Sequence, residues 1–227
     1  MQVTRLACGG FAMAVRIQHT MADGAGMLQL LGAIAELARG APAPTVQPVW
    51  GRELLQAPLL NDVLLPPRFA HREYDDVMDM NDAIVPFEFM VHRFFIGWRE
   101  IYAIRSHLPL ALSRDATNFE VIMGCLWRCR TVALAPHADE EMRMICTVNI
   151  RGKKDTIIPV GYYGNAFASP VAISTAGDLL ANPVSYAVEL MMKTKREVDV
   201  EYVRSVARLM VRWGRPNFTM VSAYVMG

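Results

Sequence analysis

Two polar side chains stand four residues apart near the start of the chain, in the sequence IQHTMADGAG at residues 17–26. A histidine can take a proton from a hydroxyl group near neutral pH, which makes His19 a candidate general base. Asp23 could hydrogen-bond that imidazole directly, as in a catalytic triad, or it could pair with an arginine and shape the loop. Gly24 and Gly26 favour the second role because they permit a tight turn. The spacing also fits a histidine that is simply hydrogen-bonded at the end of a strand.

The segments around this motif place it between a strand and a helix. Residues 3–8 and 11–17 are short and rich in β-favouring side chains, and the glycines at 9 and 10 separate them. This pattern predicts either a hairpin or one long strand with a kink. Apolar residues then recur at helical spacing over 26–39. A strand end, a short loop and a helix would together hold His19 in place.

The whole chain predicts a mixed α and β protein in two lobes. The first lobe covers residues 1–58, an irregular, proline-rich and acidic crossover segment covers 59–86, and the second lobe covers 87–227. In the second lobe the sequence predicts strands at 87–96, 142–150 and 218–226, helices at 99–108, 116–134 and from Pro183 to about Trp213, and a glycine-rich turn that leads into a strand at 161–174.

A second histidine–aspartate pair with the same spacing occurs in HREYD at residues 71–75. It falls in the irregular acidic segment and lacks a glycine-shaped turn. The sequence therefore predicts a solvated loop there.

Composition and motifs exclude several classes of protein. The 227 residues carry a net charge of +1 without a basic run, so we expect neither nucleic acid nor an anionic membrane as a partner. The chain contains no G-x-S-x-G serine motif, no phosphate-binding G-x-x-x-x-G-K-[ST] loop and no dinucleotide-binding G-x-G-x-x-G motif. Without an apolar secretory leader, the sequence predicts a cytoplasmic protein.

The sequence predicts that the four cysteines are reduced, buried thiols and do not form disulfides. Cys125 and Cys129 stand four apart in a predicted helix and could form half of a metal site. No second pair or nearby histidine completes it, so we expect no metal.

HTMADG at 19–24 resembles the H-x-x-x-D-G signature of the plant BAHD acyltransferases, which transfer an acyl group from coenzyme A to an alcohol or amine. Other blocks resemble the family in its own order, so the similarity covers essentially the whole chain. It is greatest to the alcohol acyltransferase branch, which includes benzyl alcohol benzoyltransferases and fruit-ester enzymes. The blocks are QVTRLACGGFAMAVRIQHTMADGAG, ARGAPAPTVQPVWGRELL, TNFEVIMGCLWRCRTVAL, VNIRGK and GYYGNAF.

The resemblance implies the two-lobed α/β (α+β) fold of coenzyme A-dependent acyltransferases, like that of chloramphenicol acetyltransferase. It implies that the fold is incomplete at both ends. The family's elements before QVTRL and its downstream D-F-G-W-G block have no counterpart here. Residues 1–58 would be the later part of the N-terminal lobe and residues 87–227 the early part of the C-terminal lobe.

The resemblance also implies residue roles. His19 would be the general base that deprotonates the acceptor hydroxyl, which attacks the thioester while both substrates are bound and without a covalent acyl-enzyme. Asp23 would point away and pair with Arg151, and Gly24 would permit the turn. Lys153 stands where the family commonly has a second arginine, which weakens any two-point contact there.

Two further pairs are candidate coenzyme A contacts. Gly164 and Asn165 lie in the YYGN block, near the coenzyme A side of the family fold, although a simple turn into a strand would also explain them. Thr117 and Asn118 open a helix whose N-terminus could favour a coenzyme A phosphate, although plain capping is the favoured explanation.

We therefore expect an alcohol O-acyltransferase fragment of volatile-ester biosynthesis in plant secondary metabolism. It would use acyl-CoA as a co-substrate and a small alcohol as acceptor, bind no permanent cofactor and act as a monomer. The alternative is a truncated, inactive remnant that serves at most as a binding module. A condensation-type or carnitine-type acyltransferase is disfavoured by the flanking blocks and by Gln18, which stands where condensation domains usually have a histidine.

Overall fold

The computed structural model describes residues 1–56, 68–75, 95–153 and 157–216, and the backbone of a strand at 224–225. Seven helices and seven strands are described there, with 3₁₀ turns at Arg52–Leu54 and Arg72–Tyr74. In chain order they are β1 (Gln2–Arg5), β2 (Phe11–Ala14), α1 (Gly24–Ala38), α2 (Trp98–Ser106), α3 (Leu110–Asp115), α4 (Asn118–Leu134), β3 (Glu141–Cys146), β4 (Val148–Asn149), β5 (Phe167–Ala168), β6 (Val171–Thr175), α5 (Ala176–Ala181), α6 (Val184–Glu197), α7 (Val200–Trp213) and β7 (Tyr224–Val225).

The chain divides into two compact units. The first consists of Met1–Ala57 and Asn149–Phe167, and the second of Pro58–Val148 and Ala168–Gly227. Residues 149–167 thus belong to the same unit as the histidine motif, although they are far from it in the sequence. The lobe boundaries expected from the sequence remain a prediction.

In the first unit, β1 and β2 form an antiparallel hairpin in which Gln2 faces Ala14 and Arg5 faces Phe11. Gly9 lies in the connecting turn with φ of +84°, a conformation that glycine adopts without strain. The hairpin is therefore the correct one of the two arrangements that the sequence left open.

The sheet of the second unit has the order β6-β3-β7. Strand β3 pairs antiparallel with β6, and its end pairs in parallel with β7. Five of the six residues of β3 are buried, so both of its faces are covered. The predicted strand at 142–150 is thus observed as β3 and β4, with a break at Thr147.

The helical core of the second unit forms where α4 packs on α6. A Cβ atom on Gly124 would lie 2.8 Å from the backbone nitrogen of Val188, so the two helices approach too closely for a larger residue. Buried apolar side chains surround this crossing: Leu108, Ala116, Val121, Val188 and Met192.

The helical region expected from Pro183 to Trp213 is broken into α6 and α7. Asp199 has an extended backbone and accepts a hydrogen bond from the N–H of Tyr202 at 2.8 Å. It therefore caps a new helix, and this local bond competes with continued helix formation.

The prediction of a solvated loop at 71–75 is wrong. His71 and Glu73 are buried. Asp75 accepts a hydrogen bond from Arg143 of β3 at 3.0 Å. These polar groups can be buried because charged and hydrogen-bonding partners satisfy them.

Some predicted elements lie outside the described residues. This applies to most of the strands expected at 87–96 and 218–226 and to most of the crossover segment at 59–86. None of the helices that the structure describes has the length and apolarity to cross a membrane.

Candidate active site

His19 lies in the turn between β2 and α1, and its side chain is exposed. Its backbone oxygen accepts a hydrogen bond from Asn165 Nδ2 at 2.9 Å. Its imidazole packs edge-on against the ring of Phe167, with 6.4 Å between the ring centroids. The backbone and one side of the ring are thus held while the imidazole stays accessible, as a general base requires.

Asp23 is the N-cap residue of α1, directly before the first helical residue. Its Oδ1 accepts a hydrogen bond from the N–H of Gly26 at 2.9 Å, which caps the helix. The same oxygen accepts from Arg151 Nη2 at 3.1 Å. Oδ2 accepts from Arg151 Nη1 at 2.8 Å and from the N–H of Ala166 at 3.0 Å. A carboxylate has about four acceptor positions, and these four bonds use them.

This bonding decides between the two roles considered for Asp23. With its acceptor positions taken by Gly26, Ala166 and Arg151, the carboxylate has none left for His19. The triad-like arrangement is therefore not the one observed. Asp23 instead forms an ion pair with Arg151 that holds the turn, and we call this Asp23–Arg151 pair the bracket.

Arg151 is the other half of that bracket. Its Nε donates to the carbonyl oxygen of Tyr162 at 2.9 Å, and Nη1 also contacts Asn149 Oδ1 at 3.2 Å. Nη2 donates to the carbonyl oxygen of Gly164 as well. Only 18% of the Arg151 side chain and 7% of the Asp23 side chain is exposed. One guanidinium therefore joins the start of α1 to the YYGN block, inside the first unit.

Glycine is required at position 26 and not at position 24. This corrects the sequence-based interpretation that Gly24 permits the turn. Gly24 has no positive φ, and a Cβ atom there would meet nothing within 4 Å. A Cβ atom on Gly26 would lie 2.0 Å from the carbonyl oxygen of Tyr163. Close contact between α1 and the YYGN block thus excludes a side chain at position 26.

Arg52 is a positioning residue that the sequence analysis missed. Its Nη1 donates to the carbonyl oxygen of Thr20 at 3.0 Å, and Nη2 donates to that of Met21. Its guanidinium lies over the ring of Trp50, 3.9 Å from the centroid. Arg52 therefore holds the turn that carries His19. The only sequence signal was its place in a block that resembles the family.

Gly161, directly before the YYGN block, joins that block to the rest of the first unit through its backbone. The carbonyl oxygen of Gly161 accepts hydrogen bonds from the N–H of Val49 at 2.8 Å and from Gln29 Nε2 at 3.0 Å. Burial raises the pKa of Tyr162, so its phenol stays protonated at neutral pH. Gly164 and Asn165 are thus brought beside the histidine turn, whereas their role toward coenzyme A remains a prediction.

Thr117 and Asn118 lie in the second unit at the start of α4. Thr117 and Glu120 form a reciprocal capping box, in which the N–H of Thr117 donates to Glu120 Oε2 at 2.6 Å. Asn118 Oδ1 accepts a hydrogen bond from Arg105 at 2.9 Å. Capping accounts for Thr117 and the hydrogen bond from Arg105 accounts for Asn118, and a phosphate contact remains a prediction.

The cysteines differ from the buried thiols that were expected. Cys8 and Cys129 are exposed, Cys125 is half-buried and Cys146 alone is buried. The Sγ atoms of Cys125 and Cys129 lie 4.0 Å apart. Among the described residues, no group of three or more histidine, cysteine or acidic side chains is arranged to hold a metal ion.

Sequence comparison gives close relatives over nearly the whole chain. The sequence model of the Transferase family matches residues 1–224. The chain is 49% identical to a benzyl alcohol O-benzoyltransferase of Nicotiana tabacum over 228 residues, covering 99% of this chain and 48% of the relative. It is 47% identical to alcohol acyl transferase 1 (allele RGb) of Malus domestica over 232 residues, covering 99% and 50%. The chain spans about half the length of these curated relatives.

Solved structures with a similar fold are more distant in sequence. Vinorine synthase matches with a TM-score of 0.61 and 18% identity, covering 93% of this chain and 46% of that structure. Fusarium graminearum TRI101, solved with coenzyme A and deoxynivalenol, matches with a TM-score of 0.53 and 11% identity, covering 81% and 42%. They confirm the predicted fold class, the α/β fold of coenzyme A-dependent acyltransferases. The sequence matches show that the chain belongs to the Transferase family, the BAHD acyltransferases that its motifs resemble.

Proposed function

We propose that this chain carries the general base of an acyl-CoA-dependent alcohol O-acyltransferase. The observation that carries the proposal is an exposed His19 on a turn that Asp23, Arg151 and Arg52 hold in place. Relatives named as benzyl alcohol O-benzoyltransferase and alcohol acyl transferase support the same chemistry. We therefore assign a small alcohol as acceptor and an acyl-CoA as donor, with formation of a volatile ester.

In the proposed reaction His19 removes the proton of the alcohol as the alcohol oxygen attacks the thioester carbonyl. The tetrahedral intermediate then collapses, the carbon–sulfur bond breaks, and the imidazolium returns its proton to the departing thiolate of coenzyme A. Both substrates are bound together, so no acyl-enzyme forms. The bracket serves this step by fixing the backbone of the base, because misplacement of the reacting groups by about 1 Å can cost about 100-fold in rate.

The coenzyme A contacts are proposed at Gly164 and Asn165 in the first unit and at Thr117 and Asn118 in the second. The first pair is supported by its place beside the turn of His19, where Asn165 already contacts the histidine backbone. The second pair is supported by the N-terminus of a 17-residue helix, whose partial positive charge favours an anion. We further propose a monomeric, cytoplasmic protein without a resident cofactor.

The test replaces His19 by alanine and measures the release of coenzyme A from benzoyl-CoA with benzyl alcohol as acceptor. Loss of a positioned general base lowers turnover by about 10²- to 10⁴-fold. His137→Ala is the matched control, because His137 is also an exposed histidine. In a chain that forms ester, turnover of His19→Ala equal to that of the His137→Ala control would reject the assignment of the base.

A second candidate function is a binding module without turnover. Its motivation is that the chain covers only 48% to 50% of its relatives, and catalysis needs positioned substrates as well as a base. Calorimetric titration with coenzyme A, together with an assay for ester formation, separates the two functions. Binding of coenzyme A without ester formation by the 227-residue chain supports the module, and ester formation rejects it.

A further inference from the structure

The second unit contains a connected cluster of polar side chains that the proposed acyl transfer does not use. Its members are His71 and Glu73 at the 3₁₀ turn Arg72–Tyr74, and Tyr202 and Ser205 on α7. His71 is 5% exposed, Glu73 7% and Tyr202 3%, whereas Ser205 is half-buried. The cluster thus has a buried interior and one partly accessible end, at the serine.

A continuous series of hydrogen bonds connects the four residues. Glu73 Oε1 lies 3.0 Å from His71 Nδ1, and the other ring nitrogen, Nε2, lies 2.6 Å from Ser205 Oγ. The hydroxyl of Tyr202 donates to both oxygens of Glu73, at 3.0 and 2.9 Å. A carboxylate, an imidazole and a hydroxyl are therefore in direct contact, in the order found in a nucleophilic triad.

The chemistry of the four groups determines which atom donates and which accepts in each of these hydrogen bonds. An ionised carboxylate only accepts hydrogen bonds, so the Nδ1 atom of His71 must carry the proton that faces Glu73. In the neutral imidazole Nε2 then holds a lone pair, and Ser205 donates its proton to it. Burial, and next the charge of Glu73, raise the pKa of Tyr202, which therefore stays a donor. His71 thus carries its proton on Nδ1 and a lone pair on Nε2, which is the tautomer that a general base needs.

The imidazole is also fixed in orientation. The ring centroids of His71 and Tyr202 lie 4.7 Å apart, and the ring of Phe69 lies 5.9 Å from His71 and 4.9 Å from Tyr202. The backbone of His71 has φ of +46°, in the left-handed region that residues other than glycine rarely adopt. Strained backbone of this kind is common at functional sites, where the surrounding contacts hold it.

We propose that Ser205 is an activated nucleophile that accepts an acyl group from an activated ester, with His71 as its general base and Glu73 as the positioning residue. A bond forms between Ser205 Oγ and the acyl carbon, and the bond from that carbon to the leaving thiolate or phenolate breaks. The serine proton passes to His71 Nε2 and from there to the leaving group. The product is an ester of Ser205, separate from the ester synthesis assigned to His19.

The first test labels the intact chain by acylation with p-nitrophenyl acetate and by phosphonylation with a fluorophosphonate, and locates the modified residue by peptide mass spectrometry. Modification at Ser205, its loss in His71→Gln, and no modification at Ser106 support the proposal. Ser106 is the matched control, because it is a helical serine whose hydroxyl donates to a backbone carbonyl, that of Ala103, at 2.7 Å. Equal labelling of the two serines overturns it.

The second test keeps the proposal falsifiable if His71→Gln fails to fold. Ser205→Cys changes one atom and places a thiol against the imidazole, which promotes formation of the reactive thiolate. We expect iodoacetamide to alkylate this thiol about tenfold faster than the exposed Cys8 and Cys129, since a paired imidazole favours the thiolate.

Glu73→Gln in the Ser205→Cys background tests the positioning role. It should slow alkylation at position 205 about tenfold, because the amide no longer fixes the tautomer, and should leave the rate at Cys8 unchanged. A thiol at position 205 that reacts no faster than Cys8, or at a rate independent of Glu73, shows that the cluster only fastens the 3₁₀ turn to α7 and overturns the proposal.

Discussion

Asp23 and Arg151 lie 128 residues apart in the sequence and form a two-point ion pair, with N–O distances of 2.8 and 3.1 Å. The pair joins the first turn of α1 to the turn that follows β4. Both side chains are largely buried, and backbone groups complete their hydrogen bonding. The turn that carries His19 therefore depends on a contact that cannot form until distant parts of the chain have folded together.

Removing one partner of this ion pair should destabilise the chain strongly. We expect Asp23→Ala and Arg151→Ala each to lower the free energy of unfolding by about 3 to 5 kcal/mol, because each leaves an unpaired buried charge. Urea denaturation of both single variants and of the double variant gives their coupling energy. Asp23→Asn should also destabilise, since it lacks the charge.

The control for this cycle is the ion pair between Arg114 and Asp115. Their side chains are 79% and 52% exposed, so Asp115→Ala should cost less than about 1 kcal/mol. A coupling energy for Asp23 and Arg151 as small as that of the exposed pair would contradict the bracket.

The two glycines at the start of α1 should respond to alanine in opposite ways. At Gly26 the new Cβ atom would meet the carbonyl oxygen of Tyr163 at 2.0 Å, so the backbone must shift. We expect a loss of about 1 to 3 kcal/mol, in the range for overpacked sites. Gly24→Ala meets open space and should be neutral or stabilise by up to about 1 kcal/mol. Thermal melting of both variants measures their stabilities. Strong destabilisation by Gly24→Ala would contradict the prediction that only position 26 requires glycine.

The capping box of α4 should make stability depend on pH at the acid end. Burial tends to raise the pKa of Glu120, but hydrogen bonds from Lys195 and Thr117 outweigh it and lower the pKa below its usual 4.5. The unfolded chain then binds the proton more readily, so the contribution of Glu120 is present above its unfolded pKa. It is lost as the pH falls through the lower, folded value.

Glu120→Gln should remove this contribution. We expect the difference in unfolding free energy between wild type and Glu120→Gln to be largest at pH 7 and to shrink toward pH 3. Denaturation at a series of pH values measures it. A difference that grows as the pH falls would show that the pKa of Glu120 is raised in the folded chain and not lowered.

The cysteines should react with iodoacetamide in a fixed order. Burial, and next its neighbour Cys129, raise the pKa of the Cys125 thiol to about 11. The thiolate is the reactive form, so at pH 8 Cys125 should be modified after the exposed Cys8 and Cys129. Timed alkylation with peptide mass spectrometry gives the order. Modification of Cys125 as fast as Cys8 at pH 8 would contradict the raised pKa.

Local sequence patterns predicted most of the described elements. Apolar periodicity located α1 and α4, and the glycines at 9 and 10 marked the break between β1 and β2, with the hairpin as one of two arrangements left open. The break between α6 and α7 was missed, because a single Asp199 cap competes with a helical pattern that continues on both sides.

The chemistry of the candidate site was predicted less completely. His19 and Asp23 were identified from six residues and the blocks around them. The contribution of Arg52 was missed, because a side chain that binds two backbone carbonyls leaves no pattern of residue types. The buried His71 was misjudged because its neighbours in sequence are polar, whereas its neighbours in space are Phe69, Tyr202 and Ser205.

The sequence by itself determined the family, the element types and the identity of the candidate base, since these depend on residue type and on short-range periodicity. Only the tertiary structure decided which carboxylate contacts which cation, which glycine must remain a glycine, and which histidine is exposed. Those outcomes depend on distances between segments more than a hundred residues apart. Such distances are fixed when apolar burial and buried hydrogen bonding are satisfied together, and the order of residues along the chain does not record them.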